Sequence, residues 1–332
     1  MTTTIAPARH FFVVNPICFR RRQDMDDVIG GIHHFFAAAG SQAKHVEYAV
    51  HVSRFPRDAI GAIRRYANSL PEGAPLRVYA VGGGGTLFDC LNGVVGLPNA
   101  ELGSLPYGKE NNFYRGFNCP DVTIFRALDV QTSAASVPMD TLHCGSNHSL
   151  SYCLIGLESV ANARAKMMYE QSMWMRHLLP SLRRLLQVGY GLAAMCSRND
   201  VSKQDYQMWV DDEEWSGRYV SINIANSPWF AGGHRAVPEA DPADGLLDVL
   251  MSSVKKKMQM PYAMWQYMRG SHNLHPEFFS HKRAKRVFVT SGNPLVLDLD
   301  GEVFYDKHIT VAVKPAAVRV IAPVVAEVPS HE

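Results

Sequence analysis

The sequence predicts an α/β domain built on a parallel sheet, followed by an antiparallel β-sandwich. Three observations carry that expectation. Strand-sized apolar runs alternate with helix-like runs over about the first 135 residues. After about residue 139, short apolar strands follow one another with turns between them. Four consecutive glycines, 82 to 85, stand where a strand passes into a helix.

The first half reads in order as a strand "HFFVVN", a helix "DDVIGGIHHFFAAAG", a strand "HVEYAVHV" and a helix "RDAIGAIRRYANSL". A strand "LRVYAV", the glycines, a helix "TLFDCLNGVV" and a short strand "ELGSLP" complete it. Strands interleaved with helical periods signal a parallel sheet with helices on its faces. Such open sheets bind ligands beyond the carboxyl ends of their strands, which is where the glycines fall. In the second half "SLSYCLIGL", "YQMWVDDEEW", "YVSINIA", "LLDVLMSS", "RVFVTS", "PLVLDLD" and "ITVAVKP" read as strands of a sandwich. A helical passage from 162 to 196 interrupts them, with Pro180 set to kink or divide it. Its Met, Trp and Leu stripe reads as core or as the wall of an acyl-chain groove.

A chain of 332 residues, 47% hydrophobic and 19% charged, has ample core for about two domains. The expected division is 1–138, with 318–332 returning to it, and 139–317 with the helical insertion. Six cysteines form no CxxC pair and no metal-ligand spacing, so they read as free thiols in a reducing compartment. His143, His148, His234 and His272 likewise form no ligand set by spacing. The opening "MTTTIAPARH" lacks the apolar core of a signal peptide, and no apolar run is long enough to span a bilayer. The expected location is therefore the cytoplasm, with any contact to a membrane peripheral. A formal charge of +2 excludes a broad basic field for nucleic acid. Basic clusters at 20–22, 255–257 and 281–286 read either as solvated faces or as contacts for anionic headgroups. Oligomeric state has no signature in the sequence.

Four ordered glycines are entropically costly unless bare backbone is needed. The P-loop GxxxxGK[ST] does not fit, since Thr86 and Leu87 follow the glycines. The dinucleotide fingerprint GxGxxG fails where Leu87 replaces its third glycine. What remains is a strand, a compact turn and a helix N-terminus whose free N–H groups face an anion, or else a close-packed structural turn.

"GGGGTLFDCLNG" resembles the GGDGT motif of the diacylglycerol kinase and sphingosine kinase superfamily, with Asp89, Asn92 and Gly93 at its later positions. "VVNP" is similar to the family's opening NPxSG, and "LGSLPYGKENNFYRGF" to its LPxGTxNDFAR. "INIANSPWFAGGHRAVPEADPADGLLDV" and the closing "LDLDGEVF" resemble its later blocks, so the likeness runs over nearly the whole chain. The resemblance implies a nucleotide-binding α/β domain, a β-sandwich, and transfer of the γ-phosphoryl group of ATP to a diacylglycerol-like or sphingoid-like hydroxyl at a membrane surface. It implies a phosphate cradle of Asn15, Gly82, Gly83, Gly84, Gly85 and Thr86, with Gly108 and Lys109 beside it. It also implies magnesium at Asp241, Asp244 and the Leu246 carbonyl, and Glu302 as proton acceptor. Phosphoryl transfer is chiefly positioning and charge neutralisation, which suits those residue types.

The departures fall where the chemistry would occur. Gly84 replaces the aspartate of GGDGT, Lys109 and Asn112 replace the threonine and aspartate of GTxND with Glu110 between them, and Phe19 replaces the last glycine of NPxSG. Three readings stay open: a kinase in which Lys109 contacts phosphate while Glu302 and Asp89 supply carboxylate chemistry, a lapsed member that binds lipid or nucleotide without turnover, or a purely structural or partner-binding role for the α/β domain.

Overall fold

The computed structural model describes residues 8–40, 47–108, 113–117, 121–171, 204–230 and 233–323. The chain forms two compact units, Met1–Met139 with Ala316–Glu332, and Asp140–Pro315.

The first unit contains β1 (Arg9–Val14), α1 (Arg22–Gly40), β2 (Tyr48–Val52), α2 (Asp58–Ser69), β3 (Leu76–Gly82), α3 (Gly84–Val94), β4 (Ala100–Pro106), α4 (Val122–Arg126) and α5 (Leu128–Ser133). Its strands pair in parallel in the order β2, β1, β3, β4. All seven residues of β3 are buried, as expected for a parallel strand covered on both faces. Phe12 and Val14 of β1, Ile32 and Phe36 of α1, and Tyr79 and Val81 of β3 share one core cluster. On α2, Ala59, Ala62 and Ile63 are buried at helical spacing. Ile63 lies so near α3 that a Cβ on Gly93 would come within 2.7 Å of it. The chain turns from β1 toward β2 on one side and reaches β3 on the other, so the carboxyl ends of β1 and β3 form the switch point of the sheet.

The second unit contains β5 (Ser136–Cys144, entering from the first unit), β6 (Asn147–Ser149), β7 (Tyr152–Gly156), α6 (Leu157–Gln171), β8 (Asp205–Val210), β9 (Glu213–Glu214), β10 (Gly217–Arg218) and β11 (Ser221–Ala225). It continues with β12 (Leu247–Ser252), α7 (Met260–Met268), β13 (Phe279–Ala284), β14 (Arg286–Leu299) and β15 (Glu302–Ile321). The sequence β13, β12, β11, β7, β14, β15 is antiparallel throughout. β14 pairs with β8 through its first half and with β7 through its second, with a register shift between Thr290 and Leu295. One bent strand thus serves two strand neighbours in turn, which is how sandwich corners are made. The last residues of β15 return to the first unit, where Arg319 and Val320 pair in parallel with Glu101 and Leu102 of β4.

Several elements differ from the sequence expectation. "RVFVTS" and "PLVLDLD" are one strand rather than two, and α6 begins at Leu157 instead of 162. The rest of the expected 162–196 passage, with Pro180, lies outside the described residues beyond Gln171. β13, β5, β6 and α7 have no counterpart in the sequence reading. Among the described residues no helix is long and apolar enough to cross a membrane. Cys18, Cys90, Cys144 and Cys153 are free thiols, the last three buried.

Candidate active site

The first unit carries its candidate residues at the turn between β3 and α3. Gly83 is the N-cap of α3 and, having no side chain, supplies no capping bond. The first N–H groups of the helix therefore face outward with the positive end of its dipole, the arrangement that receives an anion. Asn15 follows β1 and reaches this turn across the switch point. Its Nδ2 donates to Thr86 Oγ1 at 3.0 Å, its Oδ1 accepts the Ile17 N–H at 3.1 Å, and its own N–H donates to the Val81 carbonyl at 3.1 Å.

Gly108 comes to the same place, donating its N–H to the Gly82 carbonyl at 2.9 Å. A Cβ on Gly108 would stand 2.3 Å from the Gly83 Cα, and one on Gly82 would stand 2.3 Å from Thr86 Oγ1. The structure thus brings together Asn15, Gly82, Gly83, Gly84, Gly85, Thr86 and Gly108, while Lys109 lies outside the described residues. The bulky Phe19 turns toward Tyr107, with ring centroids 5.5 Å apart, and packs on the unit's core. It also lines a recess of about 360 Å³ with Pro16, Met25 and Arg20, Arg21 and Arg22. Asp89 has a structural partner, accepting the N–H of Arg57 at 3.0 Å. Arg57 is the residue with φ 65° that opens α2.

The second unit, described by itself, carries the hairpin between β14 and β15. Asp300 and Gly301 have φ of 50° and 91°, the left-handed pair that a two-residue turn between antiparallel strands requires. Asp300 is clamped, accepting the N–H groups of Leu150, Ser151 and Tyr152 at 2.7, 3.0 and 3.1 Å. Burial nevertheless raises its carboxyl above the ordinary range, against the lowering pull of those bonds. Glu302 begins β15, a third exposed, and pairs with Lys166 Nζ at 2.6 Å.

Lys166 belongs to a stripe that the sequence reading missed. Glu158, Asn162 and Lys166 recur every four residues, so they share a face of α6. Glu158 accepts the Ser221 hydroxyl at 3.1 Å and lies 3.5 Å from the Tyr267 hydroxyl. Asn162 Nδ2 donates to the buried Asp298 at 2.7 Å. Burial, assisted by the Asp298 charge, pushes the Glu158 carboxyl up to about 7. The spacing was visible in "LESVANARAK", but each partner stands far away in sequence.

The Asp-Gly-Leu turn holds the residues named for a cation. Asp241 Oδ1 accepts the Ala243 N–H and Asp244 Oδ1 the Leu246 N–H, both at 2.9 Å. Arg283 engages the other Asp244 oxygen and stands 3.7 Å from the buried Asp248. A divalent cation here would compete with that guanidinium for Asp244. Among the described residues no group of three acidic, histidine or cysteine side chains is placed to hold a metal. As arranged, the turn fits an arginine clamp better than a cation.

The first unit thus presents an uncapped glycine turn at a sheet switch point, and the second a carboxylate hairpin on an antiparallel sheet. Comparison with known proteins gives the family. Residues 22–144 match the diacylglycerol kinase catalytic domain, and residues 156–322 match the YegS C-terminal NAD kinase beta sandwich-like domain. A diacylglycerol kinase of Staphylococcus saprophyticus is 24% identical over 252 residues, 75% of this chain and 78% of its own. A Xanthomonas oryzae protein described as a probable lipid kinase YegS-like is 24% identical over 273 residues, 79% of this chain and 84% of its own. A solved Bacillus anthracis structure shares the fold with a TM-score of 0.70 at 19% identity, covering 96% of both chains. Another from the same organism, described as a diacylglycerol kinase, gives 0.64 at 16% identity, covering 94% of this chain and 96% of that one. The chain belongs to the diacylglycerol kinase-like superfamily of lipid kinases, with a second half of the YegS type.

Proposed function

We propose that this chain transfers the γ-phosphoryl group of ATP to the hydroxyl of a diacylglycerol-like or sphingoid-like lipid. The observation that carries the reading is the Asn15–Thr86 hydrogen bond, 3.0 Å long, beside the uncapped start of α3. It fixes a side-chain amide and a hydroxyl next to backbone N–H groups at a sheet switch point, which is a phosphate-binding arrangement. In this reading Gly82 to Thr86 and Asn15 cradle the phosphates of ATP, with Gly108 holding the turn in shape and Lys109 contributing a point charge. The lipid oxygen attacks the γ-phosphorus, the bond to the β-phosphate oxygen breaks, ADP leaves, and the hydroxyl proton passes to Glu302. Magnesium would serve as the counter-ion of ATP, and Asp241, Asp244 and the Leu246 carbonyl would hold a further cation only with Arg283 displaced.

The test is transfer from labelled ATP, offered with magnesium or manganese, to a panel of mixed-micelle lipids by the wild type and Gly84→Asp. Wild-type turnover on a lipid hydroxyl supports the reading. Turnover only in Gly84→Asp would instead favour a lapsed kinase. The observation behind that second reading is the bare N-terminus at Gly84, where the family's motif carries a carboxylate.

A further inference from the structure

α7 and the turn before it carry an exposed apolar face that no part of the phosphoryl-transfer chemistry uses. "MPYAMWQYM" has little polar character at any helical angle, a pattern expected of a helix enclosed in a core or in lipid. Yet only one side is enclosed: Met260 and Ala263 are 4% exposed, and Ala263 and Tyr267 pack on the unit's core. Met258 is 92% exposed, Trp265 50%, Tyr262 47% and Met268 38%. The spacings of four, three and three put them on one face. Leu274, 77% exposed, adjoins them, since its neighbour His275 stacks edge-on with Tyr262 at 5.4 Å.

Charge identifies the occupant. Lys255, Lys256 and Lys257, all exposed, lead into this face, and the Arg269 guanidinium lies 4.6 Å from the Trp265 ring centroid. On the rim, Glu277 is engaged by His275 at 3.0 Å. Tryptophan and tyrosine with a polar edge, methionine and leucine beyond them, and lysines alongside match the layers of a headgroup region above acyl chains.

We propose that the α7 face, from Lys255 to Leu274, docks on an anionic phospholipid bilayer, with Met258 and Trp265 entering the interface and the lysines meeting headgroup phosphates. The inference rests on the lipid-kinase reading for the reason a bilayer is the partner, and it adds the surface and the lipid charge.

The experiment is co-sedimentation of the full chain with phosphatidylcholine vesicles and with vesicles rich in phosphatidylglycerol. The wild type is expected to sediment with the anionic vesicles and to be released by salt. Replacing Lys255, Lys256 and Lys257 by Gln together weakens that partition on the order of a hundredfold. Trp265→Ser weakens it roughly tenfold, and the thermal melt of each variant is recorded beside its partition. Wild type that ignores both vesicles, or the lysine variant binding as well as wild type, overturns the proposal. A wild-type dimer that Trp265→Ser converts to monomer without vesicle binding also overturns it, assigning the face to a second copy. Turnover of a soluble short-chain lipid separates the two readings: its absence in every variant sinks the kinase reading, while vesicle binding alone decides the docking face.

Discussion

Lys166 Nζ and Glu302 Oε2 stand 2.6 Å apart, an ion pair joining α6 to the first residue of β15 across 136 positions of sequence. The pair is partly exposed, so its contribution to stability is at most about 1 kcal/mol. Its larger effect is to hold one carboxylate in place. Lys166→Met is expected to lower kcat about tenfold with little change in melting temperature, and Lys166→Arg to restore most of it. In a Glu302→Gln background the lysine substitution should have no further effect on kcat. Equal losses in both backgrounds would show that Lys166 acts elsewhere.

The contact of Gly108 with the glycine turn leads to a second prediction. An alanine there places its Cβ 2.3 Å from the Gly83 Cα, where backbone has to move. Gly108→Ala is expected to raise KM for ATP and to destabilise the chain by about 1–3 kcal/mol. Gly30 of α1 has nothing within 4 Å of its Cβ position, so Gly30→Ala should leave KM unchanged and stabilise by up to about 1 kcal/mol. Calorimetry and ATP titration on both variants separate crowding at the turn from a general response to losing glycine.

Glu158 makes the pH dependence of stability testable. Its carboxyl is raised from an ordinary 4.5 to about 7, so the folded chain keeps a proton that the unfolded chain releases. The sign follows: this group's stabilisation is whole below about pH 4.5 and is lost as pH rises through about 7. Glu158→Gln keeps an acceptor for Ser221 without the titration. Chemical denaturation should find it close to wild type at pH 5 and more stable than wild type at pH 8. A variant less stable than wild type at pH 8 would contradict the assignment.

Asp89 tests whether a carboxylate near the glycines serves chemistry or structure. Because it accepts the Arg57 N–H at the left-handed start of α2, Asp89→Ala is expected to cost about 1 kcal/mol and leave kcat intact. A collapse of kcat in a variant with an unchanged melt would return Asp89 to the chemistry.

Much of the first unit was legible because its signals are local. β3 is apolar but for Arg77, close to the pattern of parallel strands buried on both faces, and four glycines mark its end. What was hidden depended on distance or on ambiguous composition. The "SGNP" inside β14 has turn chemistry, yet the strand runs through it with a register shift, so the sequence reads as two strands. In β13 only Phe279 and Ala284 are buried, and the charged residues between them are held by partners on β12 and elsewhere, so "HKRA" reads as surface. α7 lacks a polar face, and with it the helical period. The Asp-Gly-Leu turn was readable as a turn, whereas the Arg283 clamp on Asp244 comes from 39 residues away.

In the proposed reaction Glu302 accepts the proton of a lipid hydroxyl as phosphate is transferred from ATP. The most direct measurement is phosphate incorporated into extracted lipid during one turnover, with wild type and Glu302→Gln compared side by side at saturating ATP. Labelled lipid phosphate is expected with wild type, and a loss on the order of a hundredfold or more in the variant, with ATP binding retained. Equal transfer by the two proteins would contradict it.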